Sequence, residues 1–372
     1  MSDKIKILMS LNSLGLGGNV IFVMNFFRRI DKERFQVDFI IYDETKMDFY
    51  KEVMEAGSNV FIIKGNDYKS RKQQIKDIIN KEKYDIIHIN SCSLKGLLKT
   101  VLPVSAVGNS NISIIAHAHN PGTPKNTIFD NISRSILKKL LTSRVDYGFA
   151  CSEESGASKF TPKFLKSKRF FVINNAIESE RYSYNPDIRK QIRQQFDIED
   201  KFVIGSVGRV EKQKNYLFFL DVLKKYVAVA PNTVFLLVGT GSQMPDMEKK
   251  IKDSGLGEKV ILVGKAEDAE RYYQAMDMFV LPSIYEGFGF VNIEAQVSGL
   301  PCVVSDRVPT TVDISDRVSF VPLDIDQWVN VLKERCVNLN ERKTCISSKY
   351  DLKCETKRLE KIYTRLINAK NR

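Results

Sequence analysis

The residues best suited to do chemistry are two glutamates, Glu286 and Glu294, in the run Glu-Gly-Phe-Gly-Phe-Val-Asn-Ile-Glu-Ala that begins at position 286. Their spacing of eight residues returns both side chains to nearly the same face of a helix. Gly287 and Gly289 leave backbone amides uncovered where that helix begins, and such amides attract an anion. Apolar runs on both sides indicate a strand-to-helix turn, which can hold phosphate and sugar hydroxyls together. The alternative is a helix with two solvated glutamates.

A second loop that could bind an anion lies at 208–214, with the sequence Gly-Arg-Val-Glu-Lys-Gln-Lys, after an apolar run at 203–207. It places Arg209 and Lys214 around the start of a helix. The fork of an Arg and the point charge of a Lys together suit a diphosphate. Exposed basic residues in an ordinary loop are the alternative interpretation.

A glycine-rich loop with Gly15, Gly17 and Gly18 separates the first apolar run from a helix predicted to begin near Asn19. Free amides and the helix dipole at that point favour an anion. The spacing differs from G-x-G-x-x-G, so a plain tight turn explains these glycines equally well.

All three histidines, His88, His117 and His119, end or follow apolar runs in the first half of the chain. No cysteine or carboxylate pattern around them has the spacing of a metal site. His117 and His119 share one face of an extended segment that ends at the turn 120–122, so His119 is predicted to meet a ligand at the sheet edge. His88 is interpreted as a core histidine.

The net charge of +12 and the isoelectric point near 9.2 predict an anionic partner: nucleic acid, a membrane surface or a phosphorylated substrate. Between residues 131 and 145 there are no acids, and basic residues alternate with Ile and Leu at helical spacing. This basic helix is predicted either to contact an anionic membrane or to pack with a solvated basic face. Nucleic acid is disfavoured because no nucleic-acid-binding signature accompanies the charge. The basic residues of the predicted membrane contact are Arg134, Lys138, Lys139 and Arg144.

Length and composition predict two domains. The 372 residues are 43% hydrophobic, more than one core of about 250–300 residues usually takes up. The six cysteines contain no C-x-x-C pair and are predicted to be reduced thiols. Ser10 and Asn12 interrupt the first apolar run, so it is predicted to be a strand and not a signal peptide. No stretch reaches the roughly 18 apolar residues of a spanning helix.

Short apolar runs alternate with helical patterns in both halves of the chain, which predicts two doubly wound parallel sheets. A polar stretch from about 175 to 200 separates the two series, and a terminal helix is predicted at 349–366. Ligands of open parallel sheets bind beyond the carboxyl ends of the strands, so a ligand is predicted in a cleft between the domains. The predicted strands are 5–9, 37–42, 60–63, 86–90 and 113–116, then 203–207, 234–238, 260–263, 278–281 and 302–304.

These motifs together resemble those of the retaining GT-B glycosyltransferases of family 4, which use nucleotide-sugar donors. The resemblance extends over nearly the whole chain. It implies a Rossmann-like acceptor-binding domain at 1–185, a Rossmann-like nucleotide-sugar-binding domain at 186–350, and a C-terminal helix at 351–372 that packs back on the first domain. The matching motifs are Gly17-Gly18, His119, Gly208-Arg209 with Lys214, the turn at 238–241, Val263-Gly264, and E-x7-E at Glu286 and Glu294.

The resemblance also implies a role for each motif. Glu294 grips the donor ribose, and Glu286 with the amides that follow it meets the transferred sugar. Arg209 and Lys214 hold the diphosphate and stabilise the charge that builds on it, so no metal or other cofactor is expected. His119 contacts the sugar near the reacting carbon. The implied donor-binding residues are Gly17, Gly18, Arg209, Lys214, Gly264, Lys265, Glu286, Gly287, Phe288, Gly289 and Glu294, and the implied catalytic residues are His119, Glu286, Arg209 and Lys214.

The implied reaction moves a sugar, with retention of anomeric configuration, from a nucleotide diphosphate sugar to a saccharide acceptor. The expected donor is a UDP-sugar. The expected acceptor is a polyprenyl-diphosphate-linked oligosaccharide of bacterial capsule or exopolysaccharide synthesis. The enzyme is therefore expected in the cytoplasm, peripheral on the inner face of the plasma membrane.

Several alternatives stay open beside this function. The run 19–21 reads Asn-Val-Ile where many relatives have Ala-Glu-Arg, which permits a catalytically silent GT-B subunit that stabilises a partner transferase. An epimerase or a phosphorylase of the same architecture is disfavoured, because neither an acid-rich site nor a Schiff-base lysine pattern is visible. Asp324 and Asp326 form a D-x-D that is interpreted as surface and not as a metal site.

Overall fold

The chain divides into two compact units, which are described separately. The computed structural model describes residues 4–65, 67–108, 111–120, 128–286, 288–336 and 342–370. The first unit comprises Met1–Ala176 with Ser348–Arg372, and the second comprises Ile177–Ser347. The first division falls before the predicted boundary at 185/186, because the helices just after Ala176 pack on two later helices of the second unit.

The sheet of the first unit has seven parallel strands in the order β3-β2-β1-β4-β5-β6-β7. Strand order reverses between β1 and β4, which creates a crevice at the carboxyl edge of the sheet. Neighbouring residues of one strand enter different cores, for example Ile7 and Leu8, because side chains alternate across a sheet. The strands are β1 (Ile5–Ser10), β2 (Phe35–Ile41), β3 (Val60–Ile62), β4 (Ile86–Ser91), β5 (Ser113–Ala118), β6 (Tyr147–Ala150) and β7 (Phe170–Val172).

Helices cover both faces of this sheet. The last helix, α15, returns from the end of the chain and buries Leu359, Tyr363 and Leu366 in the same core as α1. Glu360 Oε1 accepts a hydrogen bond from the amide of Asp31 at 2.9 Å, which fixes the helix beside α1. The helices are α1 (Gly18–Arg29), α2 (Tyr50–Glu55), α3 (Tyr68–Glu82), α4 (Leu94–Ser105), α5 (Ile128–Thr142), α6 (Glu153–Lys159), α7 (Pro162–Leu165) and α15 (Leu352–Lys370).

The second unit has a six-stranded parallel sheet in the order β10-β9-β8-β11-β12-β13, and its strand order reverses between β8 and β11. Trp328, fully buried, lies in its core. The strands are β8 (Phe202–Val207), β9 (Thr233–Val238), β10 (Val260–Gly264), β11 (Met278–Leu281), β12 (Cys302–Ser305) and β13 (Val318–Val321). The helices are α8 (Ser179–Tyr182), α9 (Pro186–Gln195), α10 (Tyr216–Val227), α11 (Met244–Asp253), α12 (Ala269–Ala275), α13 (Phe290–Val297) and α14 (Ile325–Arg335).

The prediction of two doubly wound parallel sheets is confirmed. Three strands near the ends of the sheets, β6, β7 and β13, are missing from the predicted set. They are four, three and four residues long, no longer than β3, β11 and β12, which the sequence did predict.

Candidate functional site

The loops after β8 and β11 flank the reversal of strand order in the second sheet, where ligands of open sheets bind. Arg209 and Lys214 lie in the first of these loops, and Glu286 lies in the second. The amide of Ile284 donates to the carbonyl of Gln213 at 2.8 Å, which ties the two loops together. The fold therefore brings three of the predicted site residues to one crevice.

Lys214 and Glu286 form an ion pair within this crevice. Lys214 Nζ lies 2.8 Å from Glu286 Oε1, and the two side chains are 14% and 8% exposed. Ser283 Oγ donates to the same carboxylate oxygen at 2.6 Å. Arg209 is exposed and makes no ion pair within the described ranges. Of the two cations predicted to hold a diphosphate, Lys214 is thus already neutralised, and Arg209 presents its charge to solvent.

The turns after β8, β9 and β10 approach each other closely at glycines. Gly239 has φ of +142°, and a Cβ there would lie 1.9 Å from the carbonyl oxygen of Gly208. The amide of Gly239 also donates to the carbonyl of Gly264 at 2.8 Å. The predicted pair Gly264 and Lys265 therefore lies beside the Arg209 loop, with Lys265 exposed.

The E-x7-E segment forms the predicted turn and helix. Gly289 precedes α13 with φ of +85°, a conformation that favours glycine because it lacks a Cβ. The ring of Phe288 packs edge-on against Phe290, with centroids 5.1 Å apart. Gly287, predicted to bind the donor through its amide, lies outside the described residues.

Glu294 is held by two tyrosines that sequence reasoning missed. Tyr273 Oη donates to Glu294 Oε2 at 2.7 Å. Burial raises the pKa of Glu294, while hydrogen bonds from Tyr273 and Tyr182 and the charge of Lys214 oppose that rise. Tyr273 lies on α12, 21 residues before Glu294 in the chain, so no helix or strand periodicity relates the two positions. No sequence signal could have found this contact, because it arises from packing of α12 on α13.

His119 follows β5 at the carboxyl edge of the first sheet, as predicted. Its Nε2 lies 2.8 Å from Asn90 Oδ1. Asn90 Nδ2 donates to the carbonyl of His88 at 3.2 Å, so the amide oxygen must face His119. We therefore assign the proton of His119 to Nε2, which leaves Nδ1 as an acceptor. Burial lowers the pKa of His119 to about 3, so the ring is neutral at pH 7.

His88 and His117 form a buried chain that ends on the C-terminal helix. Tyr363 Oη lies 2.6 Å from His88 Nδ1, and His88 Nε2 lies 3.0 Å from His117 Nδ1. The rings of His117 and His119 stack with centroids 4.1 Å apart. Burial lowers the pKa of His88 to about 3 and that of His117 well below its usual value. The interpretation of His88 as a core histidine agrees with these contacts.

Gly17 and Gly18 begin α1 in the loop after β1, beside the crevice of the first sheet. A Cβ at Gly18 would meet no atom within 4 Å. Packing therefore does not require a glycine at this position, and the backbone at the start of α1 is open to an approaching group.

The four cations of the predicted membrane contact do not share one face of α5. Lys138 Nζ points to α6, where it donates to the carbonyl of Ala157 at 2.5 Å. Lys139 is exposed on the helix, and Arg144 is exposed just after it. Beside Lys139 lie two isoleucines, Ile132 and Ile136, which are 55% and 60% exposed. The outer face of α5 is thus apolar with a basic margin.

The D-x-D at the start of α14 has structural partners. Asp324 accepts a hydrogen bond from the amide of Gln327 at 2.9 Å and so caps the helix. Asp326 pairs with Lys225. Both carboxylates act locally, in agreement with their interpretation as surface residues.

Comparison with known proteins finds similarity to glycosyltransferases. Residues 188–334 match the family of glycosyl transferases group 1. The chain is 25% identical over 320 residues to the putative glycosyltransferase EpsF of Bacillus subtilis, covering 84% of this chain and 82% of the relative. It is 27% identical over 334 residues to the UDP-Gal:alpha-D-GlcNAc-diphosphoundecaprenol alpha-1,3-galactosyltransferase of Escherichia coli, covering 82% and 81%.

A solved structure supports the same fold. The Anabaena protein Alr3699/HepE in complex with UDP superposes with a TM-score of 0.77 over 98% of this chain and 100% of that one. Sequence identity between the two is 17%, so this likeness concerns the fold alone.

Proposed function

Because the chain is a glycosyltransferase with the GT-B fold, we propose that it is a retaining enzyme that uses a UDP-sugar. The proposed acceptor is a saccharide linked to polyprenyl diphosphate. The observation that carries this proposal is the crevice of the second sheet, where Arg209, Lys214 and Glu286 meet. Glu294, on the helix that follows, supplies the carboxylate for the ribose.

The proposed reaction exchanges one bond at the anomeric carbon. The bond to the diphosphate oxygen breaks, and UDP leaves with the electron pair. The acceptor oxygen bonds to the anomeric carbon on the same face, and its proton passes to the departing phosphate oxygen. Arg209 and Lys214 stabilise the charge that builds on that phosphate, as fixed donors do in a preorganised site.

Glu286 is proposed to contact the transferred sugar. The ion pair with Glu286 neutralises Lys214. An incoming diphosphate therefore competes with Glu286 for Lys214, which frees the carboxylate to accept hydrogen bonds from sugar hydroxyls. His119 Nδ1, left without a proton by the hydrogen bond to Asn90, is proposed to accept from a hydroxyl of a ligand at the carboxyl edge of the first sheet.

The Escherichia coli relative supports the proposal of a uridine donor and a lipid-linked acceptor. The name of the Escherichia coli relative gives UDP-Gal as its donor and a diphosphoundecaprenol-linked sugar as its acceptor. The similarity to that protein extends over most of both chains, which supports the same classes of substrate here.

Assays with the purified protein test this function. UDP, GDP and their common sugar conjugates are screened by thermal shift, since a ligand at about 100 times its Kd adds roughly 2.7 kcal/mol of stability. The stabilising donor is then incubated with a polyprenyl-diphosphate-linked saccharide, and the product anomer is determined by NMR. We expect UDP to stabilise more than GDP and the product to keep the donor configuration. An inverted product would refute the mechanism.

A catalytically silent subunit is the second candidate. Intact Arg209, Lys214, Glu286, Glu294 and His119 argue against it. If the purified protein binds UDP-sugars but neither transfers nor hydrolyses them until a second transferase is added, the silent-subunit function is correct.

The enzyme is proposed to reach its acceptor at the inner face of the plasma membrane. None of the helices in the described ranges is long and apolar enough to cross a bilayer. The outer face of α5, with Ile132, Ile136 and Lys139, is the proposed contact, and each cation near an anionic surface contributes about 1 kcal/mol. We expect sedimentation with phosphatidylglycerol vesicles at low salt that Lys139→Glu weakens. Sedimentation that the substitution leaves unchanged would refute this contact.

A further inference from the structure

Three cations on α5 and α6 of the first unit have no carboxylate partner among the described residues. Arg134 and Lys138 lie one turn apart on α5, and Lys159 ends α6. They are close enough for their charges to repel each other, since Arg134 acts on both lysines and Lys138 acts on Lys159. None of the three makes an ion pair within the part of the chain that the structure describes.

Lys159 is the most enclosed of the three, with 4% of its surface exposed. Its Nζ donates to the carbonyl of Asn120 at 2.9 Å and to Ser158 Oγ at 2.7 Å. An ammonium has three donors, so one donor of Lys159 has no protein partner in the described ranges. Burial, with the repulsion from Arg134, lowers the pKa of Lys159 to about 8.

The place of this cluster in the fold indicates what it binds. Asn120 directly follows His119 after β5, and α6 follows β6, so Lys159 is held at the carboxyl edge. The start of α4 lies at the same edge, directly after β4, and adds the positive end of a helix dipole. A buried cation such as Lys159, repelled by neighbouring cations, is costly unless an anion pairs with it.

The orientation of α5 separates this cluster from the membrane contact. At 100° per residue, Arg134 and Lys138 lie on roughly the opposite side of the helix from Ile132, Ile136 and Lys139. Lys138 bonds to α6 while both isoleucines are exposed, which agrees with that division. The inward cations are therefore available to a discrete ligand and not to a flat lipid surface.

We propose that Arg134, Lys138 and Lys159 bind the diphosphate of the acceptor, a polyprenyl diphosphate. This inference rests on the proposed function and deepens it, because it gives the acceptor a site in the first unit. Three cations match the two to three negative charges of a diphosphate ester. Donor and acceptor diphosphates then have separate sites, with Arg209 and Lys214 serving the donor.

Farnesyl diphosphate, a soluble short polyprenyl diphosphate, is the probe. Its affinity is measured by calorimetry in saturating UDP, so that the donor site is occupied, for the wild type, Arg134→Met and Lys159→Met. The matched controls are Lys139→Met, on the outer face of the same helix, and Lys214→Met, in the donor loop. Loss of a hydrogen bond to a charged group predicts at least about tenfold weaker farnesyl diphosphate binding in Arg134→Met and Lys159→Met. Their UDP affinity is expected to stay unchanged.

The outcomes distinguish failure of the acceptor site from failure of the proposed function. If UDP binds but farnesyl diphosphate binds equally well to wild type and both variants, the acceptor site is overturned and the proposed function stands. If UDP itself does not bind to the wild type, the proposed function fails. Because Lys159 is buried, the far-UV spectrum and Tm of Lys159→Met are compared with those of the wild type. If they change, Arg134→Met, at a less buried position, carries the test alone.

One further arm distinguishes the source of the phosphate. Phosphatidylglycerol vesicles present the same charge on an ordinary lipid. If Arg134→Met weakens sedimentation with these vesicles and leaves farnesyl diphosphate binding intact, the cluster binds membrane headgroups and the polyprenyl diphosphate site is overturned.

Discussion

The two units differ in whether the charged side chains near the carboxyl edges of their sheets are paired. In the second unit, Lys214 is paired with Glu286, and Glu294 is held by Tyr273. In the first unit, Arg134 and Lys159 form no ion pair in the described ranges, and His88 and His119 of the same unit are neutral at pH 7. The edge of the second sheet thus pairs its charges within the protein, whereas the first unit has unpaired positive charge among its described residues.

The difference suggests how each edge responds to its ligand. At the balanced edge a ligand must exchange partners with existing groups, so binding and repositioning are coupled. At the unbalanced edge a ligand supplies the missing charge, so binding relieves repulsion. All three histidines lie in the first unit, and the described residues of the second unit contain none. The stability of the two units should therefore depend differently on pH.

Acidification should produce the largest difference in stability between the two units. The folded pKa values of His88 and His119 are lowered to about 3, below the unfolded value near 6.5. Their stabilising contribution is therefore complete above pH 6.5 or so and is lost as pH falls toward 3, at about 1.4 kcal/mol per pH unit for each histidine. We expect the first unit to unfold before the second as the solution is acidified.

The single tryptophan makes this measurable. Trp328 is buried in the second unit, so its fluorescence follows that unit, whereas far-UV circular dichroism follows both. In urea at pH 7.5 the two signals serve as the reference, and at pH 4.5 the dichroism should change first. Coincident transitions at both pH values would show that the histidine chain does not set acid stability.

Removing a donor-site cation should have the next largest effect. Lys214→Ala and Arg209→Ala should each lower turnover by roughly 100-fold, as loss of one preorganised donor does. Lys212→Ala is the matched control, because this lysine is exposed in the same loop. Activity of the wild type is expected to survive a chelator. Activity that disappears in chelator and returns with Mn²⁺ would contradict stabilisation by these cations alone.

The two glutamates should separate binding from transfer. Glu294→Gln should weaken UDP by about 1.5–3 kcal/mol, the value of a hydrogen bond to a charged group. Glu286→Gln should bind UDP at least as well as wild type, because Lys214 loses its competing partner, yet transfer the sugar slowly. Calorimetry with UDP and a transfer assay check both. Equal losses of UDP affinity in the two variants would show that the roles are not divided.

The tyrosine beside Glu294 should give the smallest effect. Tyr273→Phe removes the hydrogen bond at 2.7 Å but keeps the ring, and should weaken UDP by about 0.5–1.5 kcal/mol. That hydrogen bond lowers the pKa of Glu294, so its loss should raise the pKa and move the acidic limb of UDP binding to higher pH. A pH profile that does not move would mean that Tyr273 only packs.

Local patterns in the sequence predicted both sheets and the loops that carry Arg209, Lys214 and Glu286, because strands, glycine turns and the E-x7-E spacing are local features. Tyr273 and Lys159 could not be found in this way, since their partners depend on strand order and helix packing. The division of α5 into two faces, by contrast, could have been predicted from the sequence. At 100° per residue, Arg134 and Lys138 fall on a different face of the helix from Lys139, so the four cations do not form one surface.

The return of α15 to the first unit has a consequence for the order in which the protein matures. The core that contains Tyr363 and Leu366 lacks one wall until the codons of α15 (Leu352–Lys370) are translated. By then residues 177–347 have been synthesised and can fold on their own contacts. The half of the molecule that the ribosome makes first is therefore completed last, and a stop codon ahead of α15 damages that half while sparing the other.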